Sequence, residues 1–206
     1  MSPLLAHMEG AGGIATKYQG QTLIRHFGDP AEEYLAATER LAVFDRSHRS
    51  RLVVSGRAPS QMLNGILSGQ MPHAPSESDK GVFGGSATYH TVLTSKGKML
   101  TDLWLILLGD EETSGFLLDV PIAGEQSLST SFDKLLPPRL AAVEDVSERL
   151  ATITVVGPDS AEALSDLALG KKVTAEKLYE LGEGEWRSIG LPEESLLVMR
   201  IGDVWP

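Results

Sequence analysis

Residues 89–108 read YHTVLTSKGKMLTDLWLILL, and their patterning predicts two strands, Ser86 to Thr94 and Met99 to Leu108, separated by a turn. The glycine in SKGK supports a tight reversal, so the pair is a predicted β-hairpin. Alternation along the second strand puts Leu100, Asp102, Trp104 and Ile106 on one face and Met99, Thr101, Leu103 and Leu105 on the other. Asp102 is the anomaly. A carboxylate on an otherwise apolar face is poorly solvated, and such groups are candidates for proton exchange with an amine. A bland placement stands beside this one: Asp102 near the hairpin end, paired with Lys96 or Lys98, or on a solvated face. Tyr89 lies on the partner strand, as a core or rim aromatic.

Working outward, GDP (28–30) predicts a helix start, with Asp29 as cap and Pro30 at the first helical position. Tyr34, Leu35, Thr38 and Leu41 then repeat at helical spacing, which predicts a helix over 30–41. Arg51 to Ser55 reads as a strand, the APSQMLNGILS stretch as an amphipathic helix, and residues 71–85 as a loop by composition. Phe116 to Val120 is a further strand, ended by Pro121. Leu128, Phe132, Leu135 and Leu136 mark a helix stopped by Pro137 and Pro138. Ser195 to Ile201 is a last apolar strand. Residues 1–20, rich in Gly and small side chains, read as a flexible N-terminal segment.

One theme recurs. RLVVSGRAPSQMLNGIL (51–67) and TITVVGPDSAEALSDLA (152–168) each run from an apolar strand through a glycine turn into a capped amphipathic helix. Self-similarity at a separation of about a hundred residues predicts two related α+β halves.

Composition narrows the function. The chain has 206 residues, net charge −10 and no cysteine. The acidity disfavours nucleic acid, whose phosphates must be neutralised by Lys and Arg. Lack of cysteine removes disulfides, thiolate metal sites and a cysteine nucleophile from these residues and fits a cytoplasmic protein. No apolar run approaches a membrane span, and no spaced His set indicates a metal. The run RSHRSRLVVSGR (46–57) holds four arginines and no acid, so it is a candidate receiver for a small anion. In FDRSH (44–48), Asp45 and Ser47 are read as turn or cap residues rather than as part of a nucleophile set. His26, His73 and His90 receive no role.

These blocks also carry a resemblance. AVFDRSHRSRLVVSGRAPSQMLNGILSG (42–69) resembles the opening signature of the glycine-cleavage T-protein/YgfZ folate-binding superfamily. YHTVLTSKGKMLTDLWLILLGD, FLLDVP and EDVSERLATITVVGPDSAEAL look like its next three blocks, in the same order. The resemblance runs over about residues 30–201. It implies an α+β fold with mainly antiparallel sheets, built as two related β-α-β-rich halves, with residues 21–206 as the folate-binding region and the family's C-terminal portion missing.

By the same resemblance the cofactor is tetrahydrofolate or a folate derivative. Asp102 matches the aspartate placed beside its reactive nitrogen and is the candidate catalytic residue. Tyr89 matches the pterin-site tyrosine, and Trp104, Ile106, Leu117 and Asp119 match pocket-lining positions. Arg46, Arg49 and Arg51 are candidates to attract the anionic glutamate tail. Where the T-protein usually has two adjacent aspartates, this chain reads Thr101–Asp102, which is nearer the YgfZ type. The YgfZ type implies an accessory factor in iron–sulfur enzyme assembly or repair. The T-protein type implies an aminomethyltransferase of the glycine cleavage system, served by a lipoyl carrier protein. The third expectation is a degenerate, non-catalytic fragment.

Overall fold

The hairpin read from residues 89–108 is present in a computed structural model of the chain, which describes residues 2–109, 115–189 and 196–202. In chain order the first elements are α1 (Leu5–Gly10), β1 (Ile14–Tyr18), β2 (Gln21–His26), α2 (Pro30–Glu39), β3 (Ala42–Asp45), β4 (Ser50–Ser55) and α3 (Pro59–Asn64). Then come β5 (Ser76–Asp79), β6 (Val82–Ser86), β7 (Thr88–Leu93), β8 (Met99–Leu107), β9 (Phe116–Val120) and α4 (Ile122–Leu135). The last are β10 (Ala142–Asp145), β11 (Ile153–Val156), α5 (Ser160–Ala163), α6 (Ala175–Tyr179), β12 (Glu185–Ile189) and β13 (Leu197–Met199). A π-helical turn over Leu164–Ala168 prolongs α5.

The central sheet has five strands in the order β10-β4-β9-β8-β7, with every neighbouring pair antiparallel. At the β7–β8 turn Gly97 takes φ +76, and the Thr94 hydroxyl accepts the Lys98 N–H at 3.0 Å. One face of this sheet is the core. Leu103, Leu105 and Leu107 of β8 and Phe116, Leu118 and Val120 of β9 pack there on Leu63 of α3 and on Leu128 and Phe132 of α4. Each large apolar side chain so buried stabilises the fold by about 1.5–3 kcal/mol. Gly124 lets α4 sit directly on the sheet, because a Cβ there would strike Thr101. The opposite face carries the remaining residues of the alternation, among them Asp102, Trp104 and Ile106.

The repeat read from 51–67 and 152–168 is a structural duplication with exchanged partners. β3 pairs with β11, and β10 pairs with β4, in the same register: Asp45 faces Ile153 as Asp145 faces Leu52, and Val43 faces Val155 as Val143 faces Val54. Each first strand ends in an Asp-x-Ser turn, with the Ser47 N–H donated to Asp45 at 2.9 Å and the Ser147 N–H donated to Asp145 at 2.8 Å. The serine hydroxyls then accept across the duplication, Ser47 from the Thr152 N–H and Ser147 from the Arg51 N–H, both at 2.9 Å. Gly56 and Gly157 follow with φ of +136 and +114 and lie against the carbonyls of Leu140 and Arg40. Those carbonyls accept the N–H of Ala58 and Asp159, both at 2.9 Å.

Three expectations are corrected. The helix from Pro30 is capped as read, with Asp29 accepting the Ala31 N–H at 2.8 Å, but it ends at Glu39 rather than 41. It stops there because the Arg40 carbonyl is taken by Asp159. Its Tyr34 and Leu35 are exposed, and among its described residues only Ala37 is buried. The stretch 71–85, read as loop, contains β5 and most of β6. Its polar SESD composition belongs to an exposed edge strand. Residues 1–20 carry α1 and β1, and β1 is hydrogen-bonded to β2. Ser195, the expected start of the last strand, lies outside the described residues. No helix among the described residues is long and apolar enough to cross a membrane.

Candidate functional site

The six candidate residues fall on one face of the central sheet. β8 contributes Asp102, Trp104 and Ile106. β9 contributes Leu117 and Asp119, and β7 contributes Tyr89. Register explains the grouping: Tyr89 faces Trp104, Trp104 faces Asp119, Ile106 faces Leu117, and Asp102 is diagonal to Tyr89. In a sheet such neighbours interact side by side.

Three of the six meet in a recess of about 440 Å³ lined by Arg49, Ala87, Tyr89, Asp102, Trp104 and Glu183. The Tyr89 hydroxyl donates to Asp102 Oδ2 at 2.6 Å. The partner of the carboxylate is therefore this phenol, and not Lys96 or Lys98. The Tyr89 ring meets Trp104 edge to face, with centroids 5.3 Å apart. Ile106 is buried further along the face with Leu108, Ala87 and Trp186, and Leu117 packs against that cluster. Both support the aromatic wall from outside the recess. A larger and more open recess of about 620 Å³ beside α3 is lined by Ala58, Ser60, Gln61, Asn64, Gln70 and Met71. No group there titrates, so it lacks acid–base chemistry.

Asp119 is held rather than free. Arg49 donates Nε to its Oδ2 at 2.8 Å and Nη2 to its carbonyl at 3.2 Å. The structure therefore separates the arginines that the sequence left open: Arg49 lines the recess, and Arg51 does not. The Arg51 side chain is buried, and its Nη2 donates to the carbonyls of Ser47 at 3.0 Å and Ser147 at 2.7 Å, one from each copy of the duplicated turn. Burial lowers the proton affinity of its guanidinium, opposed by the charge of Asp119, its cross-strand neighbour. Burial also lowers the pKa of His48, with Arg46 and Arg49 adding to the effect.

His90 has a structural part. Its Nδ1 accepts the Gly69 N–H at 2.9 Å, which leaves the proton on Nε2 to face Thr88 Oγ1 at 2.8 Å. The ring is therefore neutral, and burial lowers its pKa. Thr101, the departure from the two-aspartate pattern, lies behind the sheet against Gly124 of α4 and is buried there. Strand alternation makes this unavoidable: when Asp102 faces the recess, its neighbour cannot.

Ala87 and Glu183 were missed in the sequence. Ala87 carries no signal. Glu183 sits in the run ELGEGEW (180–186), whose alternating Gly and Glu mark a turn but not its destination. Among the described residues no group of three or more His, Asp or Glu side chains is placed to hold a metal ion.

Comparison with known proteins identifies the family. Residues 7–204 match the family described as the GCVT N-terminal domain. Aminomethyltransferases from Thermus thermophilus and Synechococcus elongatus are 28% and 30% identical over 171 and 168 residues, each match covering 81% of this chain and 45% and 42% of the relative. A probable aminomethyltransferase from Halobacterium salinarum is 24% identical across 98% of this chain and 52% of its own length. The crystal structure of glycine cleavage system aminomethyltransferase T from Bartonella henselae superposes with a TM-score of 0.58 at 20% identity, over 80% of this chain and 42% of that one. The chain thus spans about half the length of these relatives, and its α+β architecture with mainly antiparallel sheets is theirs. It belongs to the GCVT N-terminal domain family, within the glycine-cleavage T-protein/YgfZ folate-binding superfamily.

Proposed function

We propose that the recess on the face of the central sheet opposite α3 and α4 binds tetrahydrofolate, and that Asp102 contacts its reactive nitrogen. The observation that carries this reading is the convergence of Tyr89, Asp102 and Trp104, from two strands, on one recess with Arg49 at its side. The residues suit a flat, nitrogen-rich bicycle. Trp104 and Tyr89 supply aromatic surface, and the carboxylates accept N–H groups. Two buried polar atoms on this face, Trp104 Nε1 and Asp119 Oδ1, have no hydrogen-bond partner among the described residues. Arg49 is the cation placed to meet an anionic tail.

Bound tetrahydrofolate would supply a nitrogen that accepts a one-carbon unit. The chain's own part is to orient that nitrogen against the Asp102 carboxylate. Tyr89 fixes the carboxylate through Oδ2, so Oδ1 is the oxygen left for the ligand.

Of the two roles open within the superfamily, aminomethyl transfer from a lipoyl carrier protein is the one we favour. The relatives above are named aminomethyltransferases, and Thr101 faces away from the recess. The Thr101–Asp102 pair therefore does not separate the two types. The accessory role in iron–sulfur enzyme assembly or repair, in a cytoplasmic setting, is the second reading. The test is single-turnover transfer from an aminomethyl-loaded lipoyl carrier to tetrahydrofolate, with wild type and Asp102→Asn. Transfer in wild type, lost in Asp102→Asn with binding retained, is expected. Binding without transfer in wild type would turn the assignment to the accessory role.

A further inference from the structure

We infer that the outer edge of β11 is a docking site for a partner polypeptide, which adds one extended antiparallel strand there with apolar side chains at alternate positions. The molecule supplies its own template. β4 and β11 are matching strands of the duplication, and each is paired on one side by its matching partner, β10 or β3. On its other side β4 carries β9, with Leu52 opposite Leu118, Val53 opposite Leu117 and Val54 opposite Phe116. The matching residues of β11 are Ile153, Thr154 and Val155, and among the described residues no strand lies beside them on that side.

The backbone is set for such an addition. The Thr152 carbonyl accepts the Arg46 N–H at 2.8 Å, as the Arg51 carbonyl accepts the Val146 N–H at 2.9 Å. Successive residues of an antiparallel strand turn their N–H and C=O groups to alternate sides, so those of Ile153 and Val155 point away from β3. Leu52 and Val54 direct theirs to β9 in the same way. Cover differs between the copies: Leu52 and Val54 are 5% and 0% exposed, whereas Ile153 is 51% exposed and Val43, opposite Val155, is 55% exposed. Three other edge strands are guarded. β5 carries Glu77 and Asp79, β10 carries Glu144 and Asp145, and β7 is bridged from Val92 to Leu67. β11 reads ITVV, without charge or proline, which is the composition of an edge that accepts a strand. β9 also states what fits. Phe116 and Leu118 are the apolar residues to be matched opposite Val155 and Ile153. No counterpart of Asp119 is needed, because it faces Arg51 on β4 and the match on β11 is Thr152.

The test is titration of the isotope-labelled chain with a synthetic peptide of residues 115–121, GFLLDVP, flanked by lysines at both ends for solubility and read by amide hydrogen exchange. Saturable binding is expected, with exchange slowed at Ile153 and Val155 and unchanged at Thr154 and Val156, whose N–H groups already face β3. A control peptide with Phe116→Ser and Leu118→Ser should bind roughly tenfold more weakly. In the chain, Val155→Pro removes an outward N–H and should abolish binding. Ile153→Ser, a milder change that leaves the backbone free to pair, should weaken it about as much as the control peptide does. Exchange protection in the central sheet shows that each variant is folded. No binding, or binding without protection at Ile153 and Val155, overturns the inference. Self-association of the chain in sedimentation, abolished by Ile153→Ser, overturns it too, because the occupant of the edge is then a second copy.

Discussion

The two copies of the strand–turn–strand unit share a backbone and differ in side chains, and the difference locates the site. Both have the Asp-x-Ser turn, the hydroxyl accepting across the duplication, and the left-handed glycine against a carbonyl. The turns also share an arginine, the Arg49 N–H donating to the Arg46 carbonyl as the Arg149 N–H donates to that of Val146. However, Arg49 pairs with Asp119 whereas Arg149 pairs with the exposed Glu144, and the buried Arg51 is matched by Thr152. β4 lies between β10 and β9. Among the described residues β11 has a partner on one side alone, and Ile153 and Val43 are about half exposed. Repeated chemistry thus sets the fold, and the unrepeated Arg51, together with the partner that Arg49 finds in Asp119, sets the half beside the recess apart.

The largest effects test whether the two locks are equivalent. Gly56→Ala and Gly157→Ala each force a Cβ into a carbonyl at a positive φ, and each is expected to cost about 2–4 kcal/mol in urea unfolding. A tolerated substitution at either position would break the equivalence. Arg51→Met should follow at about 2–3 kcal/mol, because it strips the donor from the carbonyls of Ser47 and Ser147 together. Thr152→Ala, at the matching position, removes no such bridge and should cost far less.

The pH dependence comes next. His48 and His90 both have folded pKa values below the ordinary 6.5, so the unfolded chain binds their protons more readily. Their contribution to stability is complete above that value and is lost as pH falls through the folded values. Urea midpoints between pH 8 and 5 should drop on acidification, less steeply in His90→Gln. Smallest are Ser47→Ala and Ser147→Ala, about 1 kcal/mol each. Ser47→Ala should be the larger, because Ser47 is more deeply buried.

Much of this was legible in the sequence. Alternation in MLTDLWLILL placed Asp102, Trp104 and Ile106 on one face and put Thr101 behind it. The hairpin turn, the Asp29 cap and the duplicated unit were read from local chemistry that the structure uses. What sequence could not show is which neighbours a face meets. Ile106 and Leu117 share the site face yet are covered by the Trp186 cluster, a contact between segments about eighty residues apart. Arg51 reads as one more cation in a basic run, and only the exchanged pairing of β4 with β10 shows why it is buried. Glu183 reaches the recess through the close approach of Gly184 to Trp104, which leaves no periodic trace. The SESD edge strand failed for the opposite reason: with both faces in water, it has no apolar alternation to read.

Tetrahydrofolate binding at the recess beside Tyr89, Asp102 and Trp104 is open to direct measurement. Calorimetric titration of the folded chain, repeated at several temperatures so that a zero enthalpy at one cannot hide binding, tests it directly. Saturable heat with one ligand per chain, weakened by Trp104→Ala, is the predicted result. No heat at any temperature, with the protein shown to be folded, would contradict it.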